Sequence, residues 1–83
     1  MKRRITFLTR PGCGLCDEAR ARLEDVVRWL PVGCEVVDIS ADPVLEAEYH
    51  IRIPVVLDRR GRVLAEGQIS RGDALGAALR GLL

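Results

Sequence analysis

The chain alternates short apolar runs with longer segments whose apolar residues recur every three or four positions. The run at residues 5–8 is rich in β-forming side chains and is soon followed by Pro11-Gly12, so it predicts a strand that ends in a turn. Over residues 14–30 the apolar positions follow helical spacing, and Pro31 and Gly33 mark the end of that predicted helix.

The remainder of the chain predicts two further strand-and-helix groups. Residues 35–39 read as a second strand, and Asp42-Pro43 begins a short helix that ends near His50, because Asp caps helices well and Pro suits their first position. Residues 54–57 and 62–65 flank a hairpin turn at residues 58–61. Ser70 and Asp73 form a capping box before a last helix.

These elements follow the order βαβαββα, which we read as a single domain over residues 1–83. A strand-helix-strand opening implies a parallel pair with a right-handed crossover, whereas the later hairpin adds antiparallel strands. The prediction is an α/β fold with a mixed four-stranded sheet and helices on both faces.

Composition narrows the classes of function. Thirteen basic residues face twelve acidic ones, for a net charge of +1, and the cations form no stripe along the chain. Nucleic acid and anionic membrane surfaces are therefore not expected partners. The apolar share of 48% and charged share of 30% are those of a folded domain, and the short length leaves no room for a separate cofactor domain.

The N-terminus bears on cellular location. Met1-Lys2-Arg3-Arg4 resembles the basic start of a signal peptide, but the apolar run that follows is too short for export. No stretch approaches the roughly 20 apolar residues that cross a bilayer. We therefore expect a cytoplasmic protein, and we expect it to be a monomer.

The cysteines supply the candidate chemistry. Three cysteines in a chain without an export signal argue against a disulfide-stapled scaffold. Cys13 and Cys16 are spaced C-x-x-C where the first strand passes into the first helix. Unpaired N–H groups and the positive end of the helix dipole stabilise a thiolate there, so Cys13 is the predicted nucleophile. Cys16, one turn further along, is the predicted resolving thiol.

Two other interpretations of the cysteine pair stay open. The pair could be half of a zinc site, but such a site needs four ligands, and only Cys34 and His50 remain, on separate elements. The two thiols could also be small buried side chains that never react. Redox exchange is favoured because the pair lies beside a β-α-β pattern in a chain that is poor in disulfides.

Three separated motifs together resemble a known family. TRPGCGLC at residues 9–16, YHIRIPV at residues 49–55 and Gly67 before the last helix are similar to the glutaredoxin branch of the thioredoxin fold. The likeness is greatest to small glutaredoxin-like proteins with a C-x-L-C motif followed by acidic residues. It covers nearly the whole chain.

The resemblance assigns roles to residues outside the cysteine pair. Pro54 matches the family's cis-proline, which would leave the backbone of Ile53 free to pair with an extended substrate or with glutathione. Gly67 matches the first glycine of a pair that approaches the γ-glutamyl end of glutathione, although Gln68 stands where the second glycine is expected.

Four more residues complete the predicted substrate-binding set. Gly14 would permit close approach to Cys13, and Leu15 replaces the aromatic residue that typical glutaredoxins carry between the cysteines. Arg10 and Arg52 would favour the thiolate and attract a carboxylate such as that of glutathione. No metal ligands are predicted.

The function implied by the resemblance is that of a thiol–disulfide oxidoreductase acting on protein disulfides or glutathione mixed disulfides. It needs no tightly bound cofactor, and glutathione is a candidate co-substrate. The alternatives are a non-enzymatic metal or iron–sulfur module and a redox-inert recognition domain with the same fold.

Several residues near these motifs are assigned to structure. Cys34 is expected before the second strand, packed and remote from Cys13, and His50 is expected at a helix end. Trp29 and Tyr49 are expected to pack in the core. Asp17 is interpreted, with its neighbour Glu18, as a helix-start acid rather than a proton shuttle.

Overall fold

The computed structural model describes residues 3–83. The elements follow the predicted βαβαββα order, with one short 3₁₀ turn after the second strand: β1 Arg3–Thr9, α1 Gly14–Val27, β2 Val32–Asp38, the 3₁₀ turn Ile39–Ala41, α2 Pro43–Tyr49, β3 Val55–Leu57, β4 Val63–Glu66 and α3 Arg71–Arg80. Among the helices of this part of the chain, none is long and apolar enough to pass through a membrane. Met1-Lys2, the start of the segment compared above with a signal peptide, lies outside the described residues.

The four strands form one mixed sheet in the order β2-β1-β3-β4. β1 runs parallel to β2 and antiparallel to β3, and β3 runs antiparallel to β4. The crossover through α1 joins the parallel pair, and the turn at residues 58–61 joins the antiparallel pair β3 and β4. The predicted α/β architecture is confirmed.

The core lies on both faces of this sheet because the two central strands alternate their side chains between them. Ile5 and Phe7 of β1 are fully buried against α1 and α3. Leu8 and Val55 are buried on the opposite face, where Ile39 of the 3₁₀ turn joins them. Helices therefore cover the sheet from both sides, as predicted.

Side-chain caps fix the ends of the later helices. The carboxylate of Asp42 accepts hydrogen bonds from the N–H groups of Val44 and Leu45 at the start of α2. Ser70 and Asp73 each accept from the other's backbone N–H at 3.1 Å, which is the predicted capping box. These polar signals are local, so the sequence located both helix starts correctly.

Three expectations need correction. α1 ends at Val27 rather than at residue 30, and residues 28–30 continue as turns. Trp29, expected in the core, is 78% exposed because the chain leaves the helical path before it reaches that position. β2 begins at Val32, since its parallel register with β1 starts at Arg3, and Cys34 therefore lies within the strand rather than before it.

Candidate active site

Strand register gathers the predicted site residues at one edge of the sheet. Thr9 at the end of β1 pairs with Asp38 at the end of β2. On the other side of β1, Leu8 pairs with Val55, which in turn pairs with Glu66 at the end of β4. The segments that carry Cys13, Pro54 and Gly67 all continue from these ends. The three motifs are far apart in sequence but therefore meet at this edge of the sheet.

Cys13 is the N-cap of α1. Its backbone is extended, with φ −96° and ψ 105°, and its Sγ accepts a hydrogen bond from the N–H of Cys16 at 3.2 Å. Its carbonyl accepts from the N–H of Asp17 at 3.1 Å, which begins the helix. The turn between β1 and Cys13 contains Gly12 at φ +81°, a left-handed conformation that suits glycine. Local backbone geometry therefore directs the N–H of Cys16 at the Cys13 sulfur.

Cys13 and Cys16 are joined as a disulfide, with their Cα atoms 5.2 Å apart. Cys16 is fully buried, whereas Cys13 is partly exposed. The pair therefore meets solvent through Cys13, and a disulfide or thiol that approached from outside would reach this sulfur first.

Pro54 and Gly67 are joined by a backbone hydrogen bond beside the end of β1. The Ile53–Pro54 peptide bond is cis, and the Pro54 side chain is buried. The N–H of Gly67 donates to the carbonyl of Pro54 at 2.8 Å and to that of Arg52 at 3.2 Å. Residues 50–54 connect α2 to β3 and are called the proline loop here. Gly67 has φ +74°, and its left-handed turn places the end of β4 against this loop.

The backbone of Ile53 differs from the expectation. Its N–H donates to the carbonyl of Tyr49 at 3.2 Å, because the loop after α2 continues helix-like turns up to this residue. The N–H is therefore occupied within the chain rather than free for an extended substrate. Tyr49, expected in the core, is half-buried and packs with Ile53 against the cluster around Leu8 and Val55.

Arg10, three residues before Cys13, is held by α2. Its guanidinium donates to Glu46 Oε1 in an ion pair whose side chains are each about one-third exposed. Arg10 Nε and Glu46 Oε2 are buried, and neither has a hydrogen-bond partner within residues 3–83. Hydrogen bonds from Ser40 hold the pKa of Asp38 below its usual value, and the charge of nearby Arg10 lowers it further.

Arg52 is engaged by two carboxylates. It donates to Glu66 at 2.8 Å and to Glu48 at 3.1 Å, and its guanidinium lies 4.9 Å from the centroid of the Tyr49 ring. The pair with Glu48 has the i,i+4 spacing that a sequence can reveal. The pair with Glu66 depends on the fold, as does that of Arg10 with Glu46. Sequence reasoning missed the three glutamates.

Gly14 and Leu15 lie on the outside of the first turn of α1. A Cβ built at Gly14 would meet nothing within 4 Å, so the space beside Cys13 is open. Leu15 is 46% exposed and presents an apolar surface next to the cysteine pair. Both residues are accessible to a molecule that approaches Cys13.

Cys34 is separate from this edge. It pairs with Ile5, four residues before the Thr9–Asp38 pair, a separation of about 13 Å along a strand. Burial raises the pKa of its thiol to about 11, with a further contribution from the charge of Glu24. His50 caps the C-terminus of α2. Within residues 3–83, no three His, Cys, Asp or Glu side chains come together as a metal site would require.

The model of the family described as Glutaredoxin-like domain (DUF836) matches residues 4–79. The chain belongs to this glutaredoxin-like family. Its fold is that of thioredoxin, as predicted from the three motifs. No curated protein matches the chain significantly.

Solved structures agree with that assignment. A structural-genomics target from X. campestris, XcR50, is 30% identical, with a TM-score of 0.69 over 86% of this chain and 89% of its own. Protein Ne2328 from Nitrosomonas europaea is 27% identical, with a TM-score of 0.74 over 93% and 91% of the two chains. Thioredoxin 1 from Thermosipho africanus, at 15% identity and a TM-score of 0.67 over 93% and 91%, shares the fold.

Proposed function

We propose that this glutaredoxin-like protein is a thiol–disulfide oxidoreductase with Cys13 as nucleophile and Cys16 as resolving thiol. The observation that carries the proposal is the asymmetry of the pair: Cys13 is partly exposed at the start of α1, and Cys16 is buried one turn further along. The N–H of Cys16 donates to the Cys13 sulfur, an interaction that would stabilise a thiolate there.

The reaction proceeds in two exchanges. The Cys13 thiolate attacks one sulfur of a substrate disulfide, the substrate S–S bond breaks, and the departing thiolate takes a proton from solvent. The Cys16 thiolate then attacks Cys13 Sγ and releases the second substrate thiol. Two electrons pass from the protein to the substrate, and the Cys13–Cys16 disulfide remains. The 5.2 Å Cα separation lies within the range that a disulfide spans.

The substrate would lie along the edge formed by the cysteine turn, the proline loop and Gly67. Leu15 offers apolar contact, and the carbonyl of Ile53 is the backbone group of this residue that would align a bound segment. The substrate class is a protein disulfide or a mixed disulfide with glutathione. Two thiols must together return two electrons to the oxidised protein and leave as a disulfide, and glutathione is the co-substrate that the family resemblance implies. The cytoplasmic location and the monomeric state stay predictions.

A single-turnover assay tests this function. Reduced protein is mixed with hydroxyethyl disulfide, a small neutral substrate, and the released thiol is measured. The wild type should release two thiols per protein. Cys16→Ser should release one and retain the other half as an adduct on Cys13, and Cys13→Ser should release none. Cys34→Ser is the matched control and should behave as the wild type.

An undiminished reaction in Cys13→Ser would overturn the assignment. An unreactive wild type would do the same and would favour the alternatives, a metal or iron–sulfur module or an inert recognition domain. A visible absorption band and bound metal after anaerobic purification would identify the metal module.

A further inference from the structure

Both cations that could receive a substrate carboxylate already bind carboxylates of the chain itself. Arg10 pairs directly with Glu46, and its charge also acts on Asp38. Arg52 pairs with two glutamates, Glu48 at 3.1 Å and Glu66 at 2.8 Å. Two guanidinium groups therefore face four carboxylates. The guanidinium groups that would attract the carboxylate of glutathione are therefore already paired with carboxylates of the protein itself.

The four carboxylates belong to the edge that carries Cys13. Asp38 ends β2 and pairs with Thr9, and Glu66 ends β4 and pairs with Val55. Glu46 and Glu48 lie on α2, which is reached from the end of β2 through the 3₁₀ turn. The first turn of α1 adds the carboxylate of Asp17 directly after the cysteine pair, with Glu18 beside it. Six carboxylates therefore accompany the guanidinium groups of Arg10 and Arg52 around this edge, an excess of negative charge.

Cations on the α1 side reduce this charge only in part. Arg22 donates to the carbonyl of Ile69, two residues after Gly67, at 2.9 Å. Arg71 pairs with Asp25 at 2.7 Å and is neutralised there. The negative charge is thus concentrated on the side formed by α2 and the end of β4.

We propose that these carboxylates make the protein select disulfides flanked by cationic groups, such as a cysteine among lysines and arginines in a partner protein, over glutathione. This inference rests on the proposed function and names its substrate class. Glu46 and Glu66 are the specificity-determining residues, because each holds an arginine that would otherwise attract an anion. A glutathione carboxylate would have to displace one of them and would meet the remaining acids as like charges.

Three small disulfides of different charge test the proposal in the single-turnover assay. Cystamine carries two positive charges, hydroxyethyl disulfide is neutral, and glutathione disulfide is negative at pH 7. Each rate is divided by the rate of the same disulfide with dithiothreitol, which removes differences in intrinsic reactivity. At low ionic strength the normalised rate for cystamine should exceed that for glutathione disulfide by about tenfold or more. The ratio should fall as salt is raised, because exposed charges are screened.

Two variants show which carboxylates cause the preference for the cationic disulfide. Glu46→Gln frees Arg10, and Glu66→Gln leaves Arg52 with one carboxylate partner. Each should lower the ratio of cystamine to glutathione disulfide by about two- to fivefold, after both rates are divided by the rate of the same variant with the neutral disulfide. Glu24→Gln is the matched control, because it removes the same charge from an exposed pair with Arg20 further along α1. That variant should keep the wild-type ratio.

The outcomes separate this inference from the proposed function. If the neutral disulfide reacts but the normalised rates are equal, or glutathione disulfide is the fastest, the charge selection is wrong and the oxidoreductase assignment stands. If no disulfide reacts, both are wrong. Should Glu46→Gln unfold the protein, Glu66→Gln alone decides, and an unchanged ratio in that variant overturns the proposal.

Discussion

The backbone N–H of Cys16 points at the sulfur of Cys13, with a nitrogen-to-sulfur distance of 3.2 Å. One cysteine is the N-cap of α1, and the other belongs to its first turn, so the hydrogen bond that caps the helix is also the one that would stabilise a thiolate on Cys13. The first turn of α1 therefore both begins the helix and carries the two cysteines that would react. Changes to the first turn of α1 should alter both.

The first prediction concerns the carboxylate next to this sulfur. Asp17→Asn should increase the rate at which Cys13 reacts with iodoacetamide at pH 7 by about two- to fivefold, because a negative charge one residue beyond Cys16 disfavours a second one on Cys13. The measurement uses the Cys16→Ser background, so that only one of the two site thiols reacts. Glu24→Gln in that background should leave the rate unchanged, and an equal increase in both variants would show that overall charge is the cause.

The second prediction concerns the reactivity of Cys34. Since burial raises its pKa to about 11, iodoacetamide should modify it slowly in the folded, oxidised protein at pH 8 and rapidly after unfolding. Mass spectrometry of the labelled chain measures the difference. Rapid labelling of the folded protein at Cys34 would contradict the half-buried position within β2.

The same raised pKa predicts how stability depends on pH. Between pH 9 and pH 11 the unfolded state loses the Cys34 proton before the folded state does. Its contribution to stability is therefore complete below pH 9 and is lost as the pH rises towards 11. Urea denaturation of the oxidised wild type and of Cys34→Ala should show the wild type losing stability relative to the variant over this range. A constant difference would contradict the pKa.

The third prediction concerns the turn at Gly67, which follows β4 and is hydrogen-bonded to the carbonyl of Pro54. Gly67 has φ +74° and open space around its missing Cβ, so only the backbone conformation opposes a side chain there. Gly67→Ala should lower the free energy of unfolding by about 1–2 kcal/mol. Gly76→Ala is the control, since that glycine lies within α3 with open space at its Cβ and should instead stabilise by up to about 1 kcal/mol. Equal effects from the two substitutions would contradict the left-handed turn.

The fourth prediction concerns the start of α3. Ser70→Ala removes the acceptor for the N–H of Asp73 and should lower the free energy of unfolding by about 1 kcal/mol in urea denaturation. Ser70→Asn should restore most of the loss, because Asn also caps helix starts. A Ser70→Ala variant as stable as the wild type would mean that the capping box contributes nothing.

The sequence predicts features that depend on neighbouring residues. The caps at Asp42 and Ser70, the hairpin at residues 58–61 and the placement of Cys13 at a helix start are local, and each was located from a few adjacent positions. The β-rich run at residues 5–8 was also sufficient to predict a strand. The resemblance then supplied the role of Pro54 as the family's cis-proline.

Features set by distant contacts were not predicted. Trp29 looked like core because its spacing continued the stripe of α1, and only the early end of the helix exposes it. Glu46 reaches Arg10 across thirty-six positions of sequence, which no pattern along the chain indicates. The N–H of Ile53 is occupied because the turns after α2 extend to it. These contacts decide how the site is charged and which backbone groups remain available.

A redox titration of the cysteines tests whether Cys13 and Cys16 act as a redox pair. The purified protein is equilibrated in glutathione buffers of defined potential, and free thiols and glutathione adducts on each cysteine are counted by mass spectrometry. Cys13 and Cys16 should convert reversibly between dithiol and disulfide with one midpoint, while Cys34 stays free. If Cys13 and Cys16 never interconvert across these buffers, the oxidoreductase assignment is wrong.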